Sequence, residues 1–187
     1  DSWTTVIGDR ALAGDASAVA ALGRAVMEGL LEGGAIPVIK HLPGHGRARV
    51  DSHYDLPRVD ASAHDLRTVD FAPFRALADA PAGMTGHVVF EAIDPDRPAT
   101  MSPIVIETII REEIGFGGLL FSDDLKMNAL AGEIGGRARM ALDAGCDIAL
   151  CCNYSLEQKR ATERDMRPLT ASAEARAARA LAAQRAA

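Results

Sequence analysis

Apolar and polar positions along this chain switch repeatedly between two periods. Over residues 15–31 the apolar side chains Val19, Leu22, Val26 and Leu30 recur at spacings of three and four, which predicts an amphipathic helix stopped by Gly33-Gly34. The apolar run 36–40 predicts a first strand, and a loop rich in His, Gly and Pro follows it. Asp70 can cap a short helix over Pro73, Phe74 and Leu77 that Pro81 ends, and 82–90 reads as a second strand. Ser102-Pro103 opens a helix whose one face carries Ile106, Ile109 and Ile110 as far as Gly115. Residues 118–122 predict a third strand, 136–144 a helix, 147–152 a fourth strand, and an Ala/Arg-rich helix runs from about Thr170.

Nearly continuous apolar strands alternating with helices predict an α/β fold with a parallel sheet covered by right-handed crossovers. Polar residues stand at the carboxyl end of each predicted strand: Lys40 and His41, then His87, then Asp123 and Asp124, then Asn153. That placement matches the functional face of a (β/α)8 barrel, built from the loops that follow the strands. An open doubly wound sheet also binds at its strand ends, but the glycine fingerprint of a dinucleotide fold is absent. Four β/α units cannot close a barrel alone, so the expected architecture is a partial TIM barrel.

Composition narrows the picture further. The 187 residues, 48% apolar and 4% aromatic, suit one globular domain with an aliphatic core. A net charge of -6 without charged blocks argues against nucleic-acid and anionic-membrane surfaces, and no apolar stretch is long enough to span a bilayer. Cys146, Cys151 and Cys152 are odd in number and bunched in one apolar stretch, the pattern of reduced core residues in a cytoplasmic protein. The sequence opens on Asp1 and not on Met, which is expected of a piece of a longer chain.

The richest chemistry lies in residues 40–53, where a buried strand delivers polar groups to a loop. Asp51 and His53 are two apart, so in an extended segment both project to one side, where the carboxylate can hold the imidazole's tautomer. Asp123 and Asp124 point to opposite sides of a strand end, so one can face the site while the other packs or caps. A carboxylate nucleophile with a separate proton donor is the minimum for displacement at an anomeric carbon through a covalent intermediate. Two rivals stay open. His41, His45, Asp51, His53 and Asp123 are all metal-compatible, as in a metal-dependent hydrolase, although His41-x3-His45 crosses a Pro-Gly loop and loses the one-face pairing of a helix. A non-catalytic sugar-binding or interaction module is the other. His87 stands at a strand end where it can line the pocket, His45 reads as a loop-bonding structural residue, and His64 as a surface residue.

The motifs Lys40-His41-Leu42-Pro43-Gly44-His45-Gly46, Asp51-Ser52-His53 and Phe121-Ser122-Asp123-Asp124-Leu125-Lys126-Met127, with Ile7-Gly8-Asp9-Arg10 thirty residues before the Lys-His pair, resemble bacterial β-N-acetylglucosaminidases of glycoside hydrolase family 3, the cell-wall-recycling type. The resemblance covers nearly the whole chain to about Leu156. It implies that Asp123 is the nucleophile, that His53 is the acid/base oriented by Asp51, and that Arg10, Lys40 and His41 hold the sugar hydroxyls. Gly44 to Gly46 would begin a mobile loop carrying His53. The implied reaction is retaining hydrolysis of terminal β-linked N-acetylglucosamine from muropeptides, with a small carbohydrate as substrate, no nucleic-acid or membrane partner, and neither cofactor nor metal. It also implies that residues 1–187 are the C-terminal half of the family's catalytic barrel. The first half, with an Asp and an Arg that the family uses to grip the sugar, has no counterpart here. Open sheet edges then lead to the expectation of self-association.

Overall fold

A computed structural model describes residues 6–52, 54–164 and 166–185. Helix α1 spans Ala16–Glu32, and its first turn is closed by the Asp15 carboxylate, which accepts the Ala18 N–H. Strand β1 is Val38–Leu42, two residues later than the apolar run predicts; its ladder begins at Val38, skips His41 and resumes at Leu42. Strand β2 is Arg58–Val59, β3 Ala82–Thr85, β4 Val89–Phe90 and β5 Leu119–Phe121. The sheet order is β1-β3-β5, all parallel, and β2 and β4 form a separate parallel pair. The second predicted strand is therefore two strands in two sheets, split at Gly86-His87-Val88.

Between β1 and β3 lie α2 (Ala63–Asp65), a π-helical turn (Leu66–Asp70) and α3 (Ala72–Ala76). Asp70 does not cap α3. Its carboxylate accepts from Arg47 Nε at 2.7 Å and ties the His-rich loop to this crossover. Between β3 and β5 runs the π-helix Ile104–Glu113, whose entry is fixed by Ser102 Oγ accepting the Val105 N–H. It buries Val105, Ile106, Ile109 and Ile110 against Leu42, Phe71, Phe90, Phe116 and Leu120. The core is aliphatic with few aromatics, as the composition requires.

After β5 come α4 (Ile134–Asp143), α5 (Leu156–Glu163) and α6 (Ala171–Arg185). Residues 147–152 do not form the regular fourth strand. They run parallel beside β5, bridging at Phe121 and Ile148, but side chains replace part of the ladder. The Asp147 carboxylate accepts the Leu120 N–H at 2.9 Å, and Ser122 Oγ accepts the Leu150 N–H at 2.8 Å. The same Asp147 takes Arg111 from the π-helix and Arg176 from α6, clamping three elements together.

The apolar stripe of α1 departs from expectation. Leu22, Val26 and Leu30 are exposed, and Met27 is the one residue of the helix that is buried. Among the described residues, nothing covers that face.

Candidate active site

Because β1, β3 and β5 are parallel, their carboxyl ends bring His41, Thr85 and Asp123 to the same end of the sheet. His41 Nε2 and Asp123 Oδ2 are 3.6 Å apart, and both side chains are largely shielded from water. The register shifts between Lys40 and Leu42, where the Lys40–His41 and Leu42–Pro43 peptide bonds are cis. Gly86 stands opposite. A Cβ there would lie 3.1 Å from the His41 Cβ and 3.2 Å from His45 Cδ2, so a larger residue would press both rings out of place.

The two oxygens of Asp123 are not equivalent. Oδ1 accepts the Asp124 N–H at 2.8 Å, while Oδ2 faces His41. Burial pulls the His41 pKa down to about 4, and the attraction of Asp123 only partly offsets it. His41 is therefore neutral at pH 7, and its contact with Asp123 is not an ion pair. His45 packs at 5.2 Å from the His41 ring, and burial lowers its pKa too. Its Nδ1 has no hydrogen-bond partner among the described residues, while its carbonyl accepts the Ala48 N–H of the same loop at 3.1 Å.

Arg10, Lys40, His41, His45 and Arg47 line one cavity of about 620 Å3, whose remaining wall is mostly apolar, from α1, β1, α3 and the segment before α1, with Asp15 and Asp70 among it. The Arg10 guanidinium folds back onto its own turn, donating to Ile7 O at 3.3 Å and Val6 O at 3.0 Å. Lys40 is exposed at the cavity wall. All three residues expected to hold a sugar thus line one cavity; Asp123 is not among its lining residues and meets it through His41. Asp51 is half-buried, its carbonyl accepting from Tyr54 N and Asp55 N, and Ser52 O takes the Ala129 N–H at 3.3 Å, which docks this loop beyond β5. His53 lies outside the described residues.

Asp124 turns away, as a packing residue. Its Oδ1 accepts the Lys126 N–H at 3.1 Å and the Cys152 N–H at 3.0 Å. His87 does not line the cavity. It is fully buried, with both ring nitrogens bonded. His64 is exposed on α2. Cys146 is a core residue whose thiol pKa burial raises to about 12, and Cys151 and Cys152 are half-buried and free. Among the described residues, no group of three or more His, Cys, Asp or Glu side chains is arranged to hold a metal ion, and no helix is long and apolar enough to cross a membrane.

Residues 1–180 match the glycosyl hydrolase family 3 N-terminal domain. A β-hexosaminidase of Thiobacillus denitrificans is 44% identical over 155 residues, covering 81% of this chain and 43% of that protein. One from Neisseria meningitidis serogroup B is 45% identical over 152 residues, covering 79% of this chain and 42% of that protein. NagZ from Neisseria gonorrhoeae, solved in complex with N-trifluoroacetyl-D-glucosamine, superposes with a TM-score of 0.85 at 37% identity, covering 98% of this chain and 56% of that one. A β-N-acetylglucosaminidase from Paenibacillus superposes with a TM-score of 0.85 at 34% identity, covering 97% of this chain and 37% of that one. The chain spans less than half the length of these curated relatives.

Proposed function

The chain belongs to glycoside hydrolase family 3, and from that membership we propose that it carries the catalytic residues for retaining hydrolysis of terminal β-linked N-acetylglucosamine, with peptidoglycan fragments as the substrate class. The observation that carries this reading is the 3.6 Å approach of His41 and Asp123 from the carboxyl ends of β1 and β5, across the intervening β3, with His41 also lining the cavity that holds Arg10 and Lys40. We assign residues 1–187 to the C-terminal half of the family's barrel, completed by further β/α units, and the protein to the cytoplasm, where its three free thiols stay reduced.

In the first step Asp123 Oδ2 forms a bond to the anomeric carbon while the bond from that carbon to the leaving oxygen breaks. His53, held in its tautomer by Asp51, gives that oxygen its proton. Water then attacks the glycosyl ester, His53 takes the water's proton, and the Asp123 carboxylate is released. The neutral His41 leaves the full charge on the nucleophile while its ring can bond a sugar hydroxyl. Lys40 and Arg10 donate to neighbouring hydroxyls, Arg10 exchanging its carbonyl partners for the sugar. No step calls for a metal or cofactor.

The test is covalent labelling with a 5-fluorinated N-acetylglucosaminyl donor, whose second step is slow. A glycosyl mass recovered on the peptide containing Asp123 is the expected result. Turnover without that adduct, or an adduct on another residue, would overturn the assignment. Neither turnover nor adduct would favour the non-catalytic sugar-binding or interaction module, for which the exposed apolar face of α1 offers an interaction surface. Loss of turnover in a strong chelator would favour a metal-dependent hydrolase.

A further inference from the structure

His87 is wholly buried, yet no step above uses it. Its Nε2 lies 3.0 Å from the carbonyl oxygen of Asp124, and its Nδ1 lies 2.9 Å from Thr100 Oγ1. A carbonyl oxygen only accepts, so Nε2 carries the hydrogen. Nδ1 of a neutral ring is then bare and draws the Thr100 hydroxyl proton, for which the Gly86 carbonyl oxygen at 3.1 Å is the competing acceptor. Thr100 Oγ1 in turn is 2.8 Å from Thr85 Oγ1, which supplies the next proton in the chain. Burial holds the ring neutral, in keeping with that direction of donation. Thr85 and Thr100 are as buried as the histidine, so the whole line is dry and its geometry closely set.

The far end of this line is the residue next to the nucleophile. Asp124 is pinned at its carbonyl oxygen by His87 and at its carboxylate by the Lys126 and Cys152 amides. Its own N–H, the remaining polar group, donates to Asp123 Oδ1. The carbonyl and the N–H of Asp124 belong to successive peptide planes that meet at its Cα; with the carbonyl held by His87 and the side chain by two amides the residue has little freedom to turn, so its N–H stays on Asp123 Oδ1 and Oδ2 is left facing His41.

We propose that His87 is a positioning residue for glycosyl transfer: through the Asp124 carbonyl, with Thr100 and Thr85 behind it, it sets the orientation in which the Asp123 carboxylate meets the anomeric carbon. This rests on the glycosidase reading above. A misplacement of the reacting group of about 1 Å costs on the order of 100-fold in rate, which sets the scale of the effect.

Two measurements test it. The first is the 15N spectrum of the histidine side chains in the wild-type chain, with His87 assigned by its loss in His87→Gln. The Nε2–H neutral tautomer is expected whether or not the chain is a glycosidase, and an Nδ1–H tautomer would overturn the proposal. The second is the rate of label transfer to Asp123 from the fluorinated donor, measured against donor concentration. His87→Ala should slow the maximal rate by about 10- to 100-fold while the half-saturating concentration changes less than about 3-fold. His87→Gln, whose amide can donate to the same carbonyl, should recover most of the rate. A purely packing role predicts otherwise: lower melting temperatures for both variants, with unchanged labelling rates in the folded protein. Equal rates for wild type and His87→Ala, or a His87→Gln variant that folds and is as slow as His87→Ala, would overturn the positioning role alone. A wild-type chain that takes no label would overturn the glycosidase reading and this role with it, whichever tautomer the spectrum reports.

Discussion

Asp123 separates its two oxygens by partner, Oδ1 to an amide and Oδ2 to a neutral imidazole, and most of the site's chemistry follows from that division. Asp123→Ala should abolish hydrolysis of an aryl N-acetyl-β-glucosaminide, and added azide should restore turnover with inverted product. Unchanged activity in that variant would remove Asp123 from the mechanism. His53→Ala should lower turnover far more for a sugar leaving group than for an activated aryl group, because only the former needs the proton. Equal losses would contradict the acid/base role. His41 also makes stability depend on pH. The unfolded chain takes up this proton as pH falls below the ordinary imidazole value of 6.5, while the folded chain resists until about 4. The contribution is whole above 6.5 and is lost progressively down to about 4, roughly 3 kcal/mol for this residue. His45 and His87 are shifted in the same direction by burial and add to the slope. Urea midpoints between pH 7 and 4 should fall, and His41→Asn should flatten the curve.

Among the elements, the clearest departure from the periodic pattern is residues 147–152. Their apolar run is legible as a strand, but Asp147 and Ser122 spend side-chain oxygens on ladder amides, and that substitution is invisible until the two segments lie side by side. Asp147→Ala should cost about 3 kcal/mol in unfolding free energy, since it leaves Arg111 largely buried without its counter-charge. Asp147→Asn should cost less because an amide oxygen can still accept the Leu120 N–H. A urea midpoint unchanged in the Ala variant would refute the clamp. Helix α5, absent from the sequence reading, carries a detectable signal: Ser155 and Gln158 form a reciprocal capping box. Its polar composition gives it no apolar periodicity by which to be read.

For the whole molecule, three parallel strands in one sheet fall short of the eight that close a barrel, and β1 has a strand neighbour on one side only among the described residues. Exposed Leu12, Val26, Leu30 and Val38 lie along that same side and line the large cavity. An uncovered strand edge beside aliphatic surface invites pairing. The chain on its own should self-associate with rising concentration in sedimentation, and Val38→Lys should weaken that association. A compact monomer at all concentrations would exclude it.

The alternation of strands and helices, the stop of α1 at Gly33 and the ordering of the Lys-His, Asp-Ser-His and Ser-Asp-Asp motifs were legible along the chain, because period, stop signals and motif spacing are properties of neighbouring residues. Which face of α1 stays uncovered, which oxygen of Asp123 meets His41, and why His87 sits in the core and not in the cavity depend on partners dozens of positions apart. Those were decided only by the packing of three parallel strands, since a hydrogen bond or a buried charge takes its energy from the group placed opposite it and not from the residues beside it in sequence.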